Sequence, residues 1–102
     1  MSGRPRGLAD LDRIDAVFAA LAHASRRQIL TVLRVRGGTM TSGELAGRFD
    51  CSWPTTSRHL KVLIDAGLVG VAQDGRERHY RVDTDALDEV AGSWIDRFRS
   101  AA

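Results

Sequence analysis

Short hydrogen-bonding side chains are concentrated at the start of one amphipathic segment, which reads CSWPTTSRHLKVLIDAGLV over residues 51–69. The polar and aromatic groups come first, at Trp53, Thr55, Ser57 and Arg58. An apolar stripe follows at helical spacing, formed by Leu60, Leu63 and Ile64. Hydroxyl and guanidinium groups bind phosphate oxygens and base edges, and arginine can bind guanine through two hydrogen bonds. The pattern predicts a helix that is buried through its second half and presents its first half to nucleic acid.

The helix that carries these groups has clear predicted ends. Ser52 is a natural N-cap, and Pro54 fits the first turn, where a missing amide hydrogen does no harm. Gly67 suits the left-handed position that follows the last turn. The free amides and the positive dipole end at the start of such a helix favour a phosphate group.

A shorter helix is predicted just before it. Thr41 and Glu44 form a capping box, which places this helix at about residues 42–49, with a turn at Asp50. Only three or four residues would then separate the two helices, the length of a helix-turn-helix connection. In that motif the second helix enters the major groove by its N-terminal end.

A β-hairpin is predicted after the second helix, because the apolar period changes there. Residues 68–73 and 76–82 flank Asp74 and Gly75, a strong signal for a two-residue turn, and we expect Tyr80 and Val82 to alternate inward. Such a hairpin beside a helix-turn-helix is a wing. Two arginines near its tip, Arg76 and Arg78, are suited to the adjacent minor groove.

The remaining elements are predicted helices over about residues 8–22, 25–36 and 84–99. The predicted order is α-α-α-α-β-β-α, a mainly α fold with a β-hairpin of winged helix-turn-helix type. Residues 1–7 are expected to form a disordered arm, and residues 8–102 a single domain for DNA binding and dimerisation.

Composition and charge fit a folded intracellular protein with one basic surface. Residues 1–81 carry 13 Lys/Arg against 8 Asp/Glu, whereas residues 82–96 carry five acidic residues and no basic one. This asymmetry is expected if one surface meets phosphate and another does not. No apolar run is long enough to span a bilayer and no signal peptide is visible, so we expect a cytoplasmic location and no membrane partner.

Four motifs, taken together in their order and spacing, resemble the ArsR-type family of small bacterial winged-helix repressors. They are SRRQIL (25–30), ELA (44–46), TSRHLKVLIDAGLV (56–69) and GRERHYRVD (75–83). The resemblance covers about residues 10–100. It implies a homodimer whose recognition helices meet successive major grooves of a palindromic operator. It also implies repression that a small effector usually relieves, and the sequence does not identify such an effector.

Two sets of residues are expected to carry these contacts. The expected contacts to double-stranded DNA are Trp53, Thr55, Thr56, Ser57, Arg58, His59, Lys61, Arg76 and Arg78. The expected dimer interface uses the first and last helices, at Leu11, Ile14, Phe18, Leu87, Val90, Trp94 and Phe98. Some of these residues have an alternative role: Trp53 could pack inward, His59 could pack against the second helix, Thr56 could be half-buried, and Trp94 and Phe98 could complete the monomer core.

No metal or cofactor is expected. Relatives that sense metals use a Cys-x-Cys pair before the recognition helix or histidines along the last helix, and this sequence has neither. The three histidines look scattered, with His23 expected to cap a helix or to lie on the surface. Cys51, the single cysteine, is expected to act as a small hydrophobe.

Two alternative functions stay open at this point. One is a winged helix that binds a protein partner, and the other is a redox- or ligand-responsive repressor that uses Cys51. An enzyme is not expected, because the sequence has no Gly-rich phosphate loop and no catalytic triad or paired-carboxylate pattern.

Overall fold

The computed structural model describes residues 6–99. The predicted N-terminal arm, residues 1–7, lies outside these residues except for Arg6 and Gly7, which belong to the first helix. The elements in chain order are α1 (Arg6–Leu21), α2 (Ala24–Val35), β1 (Thr39–Thr41), α3 (Ser42–Leu45), α4 (Trp53–Asp65), β2 (Val69–Asp74), β3 (Glu77–Val82), α5 (Thr84–Leu87), a π-helical turn (Asp88–Gly92) and α6 (Ser93–Arg99).

One hydrophobic core joins the helices to a small sheet. Its largest fully buried side chains are Val17, Ile29, Leu33, Met40, Leu45, Leu60, Leu63 and Leu68. Tyr80 and Val82 of β3 complete it from the sheet side, which confirms their predicted inward alternation. Gly67 has a φ of 78° after the last turn of α4, so the predicted left-handed end of this helix is also confirmed.

The sheet has three antiparallel strands in the order β1-β3-β2, one more than predicted. The additional strand, β1, is only three residues long and pairs Met40 with Tyr80. A segment this short is too brief to show a period of two in the sequence. It is a strand because β3 offers a free edge beside it, so tertiary pairing decides its conformation.

The hairpin turn lies one residue later than predicted. Asp74 pairs with Glu77, so the two central residues are Gly75 and Arg76 rather than Asp74 and Gly75. Gly75 has a φ of 62° and Arg76 does not have a positive φ. Two-residue turns with glycine at the first central position have this pattern, whereas the predicted turn needs positive φ at both. Arg76 therefore lies in the turn itself.

Helix α3 is half as long as predicted. It ends at Leu45, since Ala46 already has extended backbone, and residues 46–52 connect it to α4. The predicted connection of three or four residues is therefore wrong. Phe49 lay within the predicted helix, and its side chain instead packs half-buried against the core from the connection.

The C-terminal helical run contains a turn that the sequence pattern did not predict. At the π-helical turn Asp88–Gly92, the amide of Ser93 donates to the carbonyl of Asp88, five residues earlier. The extra residue in this turn changes the phase of the apolar stripe. Val90 and Ala91 consequently lie in the core, while the apolar side chains of α6 are exposed.

Within residues 6–99, no helix is both long enough and apolar enough to cross a lipid bilayer.

The predicted capping box at α3 is present. Thr41 Oγ1 accepts a hydrogen bond from the Glu44 amide at 3.1 Å, and Glu44 Oε1 accepts one from the Thr41 amide at 3.0 Å. The hydrogen bond from the Thr41 amide lowers the pKa of the Glu44 carboxyl most, and the Thr41 side chain, Arg36 and Arg48 add to the effect. The box fixes the short helix that precedes α4.

We expect Thr41→Ala to lower the free energy of unfolding by about 1 kcal/mol, because it removes the acceptor for an otherwise unpaired helix amide. Chemical denaturation at pH 7 would measure this loss. Thr39→Ala is the matched control, since Thr39 is exposed on the same strand and caps no helix. Equal denaturation midpoints for the two variants would contradict the capping role.

Candidate nucleic-acid interface

Helix α4 lies with one side in the core and the other at the surface. Leu60 and Leu63 are fully buried, and the opposite side presents Arg58 and Lys61 to solvent. Ser52 is the N-cap residue, as predicted, but its hydroxyl makes no capping bond to the helix. It donates instead to Thr55 Oγ1 at 3.3 Å. The side chain of Ser52 therefore does not occupy the first amides of α4.

The outward cations of α4 are held by weak local contacts. Arg58 Nη2 donates to Thr55 Oγ1 at 3.2 Å, one turn earlier. Lys61 Nζ lies 3.1 Å from an Asp65 carboxylate oxygen, with both side chains well exposed. An exposed pair of this kind contributes little to stability. Both cations can therefore exchange these partners for an anionic ligand at low cost.

A groove of about 550 Å³ separates the start of α4 from the wing, the hairpin β2–β3. Its lining residues are Thr41, Ser42, Gly43, Trp53, Ser57, Gln73, Arg76, Glu77, Arg78 and Tyr80. Side chains alternate along a strand, so Arg78 lies on the same sheet face as Tyr80 and faces the groove. Four predicted DNA contacts are thus brought together: Trp53, Ser57, Arg76 and Arg78.

Sequence reasoning missed part of this groove. Gln73 reaches it from β2, and Ser42 and Gly43 reach it from the start of α3. Gln73 pairs with Arg78 across the hairpin, so the strand register determines its position in the groove. The sequence-based prediction of this register was wrong by one residue. Ser42 and Gly43 are placed by β1, which had no detectable sequence signal.

Trp53 packs inward, one of the two alternatives that its sequence position left open, and it also borders the groove. Its ring is half-buried and packs against the core, and its remaining surface lines the groove. Packing fixes the ring, so a rigid aromatic surface stands beside Ser57 at the start of α4. Such a surface is suited to contact with a sugar or a thymine methyl.

Thr56 is not a surface residue, so its place among the expected DNA contacts is wrong. Its side chain is 2% exposed, and its Oγ1 lies 3.1 Å from Cys51 Sγ. Thr56 lies on the same side of α4 as Leu60 and Leu63, which explains its burial. The hydroxyl is satisfied locally, and Cys51, half-buried and free, holds the end of the connection against α4.

His59 turns toward α2 rather than outward. Its ring centroid lies 4.5 Å from that of His23, and its Nδ1 lies 3.5 Å from Arg26 Nη1. Burial lowers the pKa of His59 below 6.5, and the charges of His23, Arg26 and Arg58 add to the effect. The expectation of three scattered histidines is therefore wrong for this pair. His23 does cap α2, as expected, because its Nδ1 accepts from the Ser25 amide at 3.3 Å.

A second surface feature is an apolar patch on α1 and α6. Its exposed members are Leu11 (51%), Trp94 (37%), Ile95 (43%) and Phe98 (64%). The Trp94 ring contacts Phe18 edge-on at 5.2 Å and Phe98 at 4.7 Å. Of the predicted interface residues, Ile14, Phe18 and Leu87 are half-buried and pack against the core. Val90 is wrong as an interface residue, since it is buried in the core of the protomer.

In the described part of the chain, no three His, Cys, Asp or Glu side chains are placed so that they could bind a metal ion together.

Comparisons with known proteins agree with this geometry. A family model described as a helix-turn-helix domain matches residues 21–71. The transcriptional repressor SdpR of Bacillus subtilis is 36% identical over 82 residues, which cover 80% of this chain and 88% of that protein. The arsenical resistance operon repressor of Staphylococcus aureus is 31% identical over 77 residues, which cover 76% and 72%.

A solved structure extends the similarity to the whole fold. The homodimeric winged helix-turn-helix DNA-binding domain of Mycobacterium bovis superposes with a TM-score of 0.73 at 28% identity, covering 100% of this chain and 94% of that one. The predicted fold class is thereby confirmed, and the curated relatives are transcriptional regulators rather than enzymes. The chain therefore belongs to the ArsR-type family of winged helix-turn-helix transcriptional repressors.

Proposed function

We propose that this DNA-binding regulator is a homodimeric cytoplasmic repressor that binds a palindromic operator and does not use the family's metal sites. The observation that carries the proposal is the groove between α4 and the wing, where Ser57 and Trp53 face Arg76 and Arg78. Hydrogen-bonding groups on a helix and cations on an adjacent hairpin match the two components of a duplex, base edges and phosphates.

The charge of the wing supports a polyanionic partner. Among the described residues, neither Arg76 nor Arg78 is in an ion pair, and both are exposed. Glu77 lies between them in sequence, and its carboxylate contacts His79 at 3.5 Å. Both guanidinium groups are therefore available to phosphates. Neutralising the phosphates in this way would release counterions from the DNA.

The apolar patch on α1 and α6 supports a second copy of the chain as the other partner. The rings of Trp94 and Phe98 contact each other at a tilted angle, and both side chains leave much of their area in water. Contiguous aromatic surface of this kind marks an interaction site. The Mycobacterium bovis domain of similar fold is homodimeric. A twofold pair would present two α4 helices to one duplex.

Selection of bound duplexes from a random pool tests the proposal directly. We expect enrichment of inverted repeats whose half-sites lie about 10–10.5 base pairs apart, because each recognition helix enters one turn of the major groove. Failure to enrich any sequence, with binding that is insensitive to salt, would favour a winged helix that binds a protein partner.

Two arginines are expected to differ in what they contribute to the selected duplex. Arg58→Ala should weaken binding and relax preference at one base position, since a bidentate guanine contact is worth about 1–3 kcal/mol. Arg76→Ala should weaken binding evenly across sequences and reduce the salt slope by about one. Fluorescence anisotropy on the duplex and its single-base variants would measure both effects.

Arg34→Ala is the matched control for these variants. Arg34 is an exposed arginine of α2 that lines a different groove, beside Gly38 and Thr84. It should bind as the wild type does. If Arg58→Ala and Arg76→Ala also bind as the wild type does, the surface formed by α4 and the wing does not hold the duplex.

Trp94→Ala is expected to shift the protein toward monomer, because it removes the aromatic centre of the patch. Sedimentation velocity at several protein concentrations would measure the dissociation. Val35→Ala is the control, since Val35 is 68% exposed at the end of α2 and lies off the patch. An unchanged dimer in the Trp94 variant, or a wild type that stays monomeric, would contradict the assignment of this surface.

A further inference from the structure

Three side chains meet where the corner between α1 and α2 packs against α4. His23 lies in the connection between α1 and α2, Arg26 in the first turn of α2, and His59 near the middle of α4. The two rings lie 4.5 Å apart, and Arg26 Nη1 lies 3.5 Å from His59 Nδ1. We refer to Arg26, His23 and His59 as the histidine joint.

Arg26 links this joint to the end of α1. Its Nε donates to the Ala20 carbonyl at 2.8 Å, and its Nη2 donates to the Ala19 carbonyl at 3.2 Å. These are carbonyls of the last turn of α1, where helix carbonyls lack partners and the dipole end is negative. One planar guanidinium therefore connects the end of α1 to α4, an arrangement that the fork geometry of arginine permits.

The contact with Arg26 constrains which nitrogen of the His59 ring carries a proton. Arginine can only donate, so Nδ1 of His59 accepts and carries no proton in this arrangement. Nδ1 of His23 likewise accepts, from the Ser25 amide. A further proton on His59 has to go to Nδ1, since the neutral ring then carries its proton on Nε2. Protonation of His59 is therefore incompatible with its bond to Arg26.

The charges around His59 also oppose a proton. The titratable and charged groups that act on it are His23 from the α1–α2 connection, Arg26 from α2 and Arg58 from α4 itself. The end of α1 contributes carbonyls through Arg26 but no side-chain charge. Within residues 6–99, no carboxylate is among the groups that act on the ring. The joint is stable with a neutral His59 and loses its central bond when the ring becomes cationic.

We propose that Arg26 and His59 are positioning residues which hold the DNA-facing half of α4 against the corner of α1 and α2, and that protonation of His59 releases α4 and weakens DNA binding. The inference rests on the proposed function, because it assigns a proton-dependent regulation to the same recognition helix. The relevant ligand is the duplex, and the signal is a fall in pH.

The direction in which DNA affinity changes with pH distinguishes a positioning role of His59 from the direct effect of its charge on DNA. A proton on His59 adds a positive charge near Arg58, and this alone would strengthen binding to DNA. Release of α4 would weaken it. Stability follows the same direction: the pKa of His59 is lowered in the fold, so its contribution is present above about pH 6.5 and is lost as pH falls through the lowered value.

The test compares the full chain with His59→Gln on the selected duplex at pH 7.5 and 5.5. Glutamine can accept from Arg26 and does not titrate, so it keeps the bond at both values. We expect the wild type to lose at least about threefold in affinity at pH 5.5, and His59→Gln to change by less than about twofold. His79→Gln is the matched control, because His79 lies on the wing and takes no part in the joint. It should lose affinity as the wild type does.

Arg26→Lys separates the joint from the charge of Arg26. A single ammonium keeps the charge but cannot bridge both α1 carbonyls and His59, so affinity should be lower at both pH values. Tighter binding of the wild type at pH 5.5, or an equal loss in His59→Gln, would overturn the proposal.

Unfolding of the protein alone distinguishes failure of this inference from failure of the proposed function. Between pH 7.5 and 5.5, the wild type and His79→Gln should lose more stability than His59→Gln. If no duplex binds but this difference is seen, the DNA proposal fails and the proton-sensitive joint stands. If His59→Gln loses as much stability as the wild type, the joint is wrong whatever the DNA result.

Discussion

The burial of one side of α4 is the constraint on which the rest of the interface depends. Leu60 and Leu63 are fully buried, and Thr56 continues their side of the helix one turn earlier. Burial on that side determines which residues α4 shows to solvent, so Arg58 and Lys61 face outward. The contact between Thr56 and Cys51 extends the fixed side to the start of the helix, where the connection from α3 arrives. Packing in the core therefore determines which side chains can reach a ligand.

Strand register determines which side chains of the wing face the groove, just as core packing determines which side chains of α4 face solvent. Because β3 pairs with strands on both sides, the side of the sheet on which each of its residues lies is fixed. Tyr80 points to the core, so Arg78 points to the groove and His79 to the opposite face. A slip of one residue would reverse this and remove Arg78 from the groove. The short strand β1 thus matters to the interface although it contributes little area, since it holds β3 from the second side.

The sequence predicted those parts of the fold that are encoded in local pattern. The helical periods, the capping box at Thr41, the end of α4 at Gly67 and the inward face of β3 all depend on residues near one another in the chain. The features that it did not predict depend on tertiary contact. β1 exists through its pairing with β3, Phe49 packs against the core from the connection after α3, and the π-helical turn sets which apolar residues of the last helix are buried. These features are not encoded in the pattern of neighbouring residues along the chain.

The candidate site shows the same division between local and tertiary information. Residue type and helical position identified Ser57 and Arg58 as outward groups, and the hairpin identified Arg76 and Arg78. The prediction for Thr56 was wrong because no sequence feature distinguishes a buried threonine at the edge of an apolar stripe from a threonine at the surface. His23 and His59 are 36 positions apart in the chain and their rings are 4.5 Å apart in the fold. Only the packing of α2 against α4 brings them together.

Helix α1 connects the two surfaces of the molecule. Its exposed face carries Leu11, and its Phe18 supports Trp94 in the apolar patch. One turn further on, its last carbonyls hold the guanidinium of Arg26, which reaches His59 on α4. In the proposed dimer, therefore, the helix that contacts the second copy is the one that holds the recognition helix from behind. The angle between the two α4 helices then depends on a bond that arginine can make to a neutral imidazole and cannot make to a charged one.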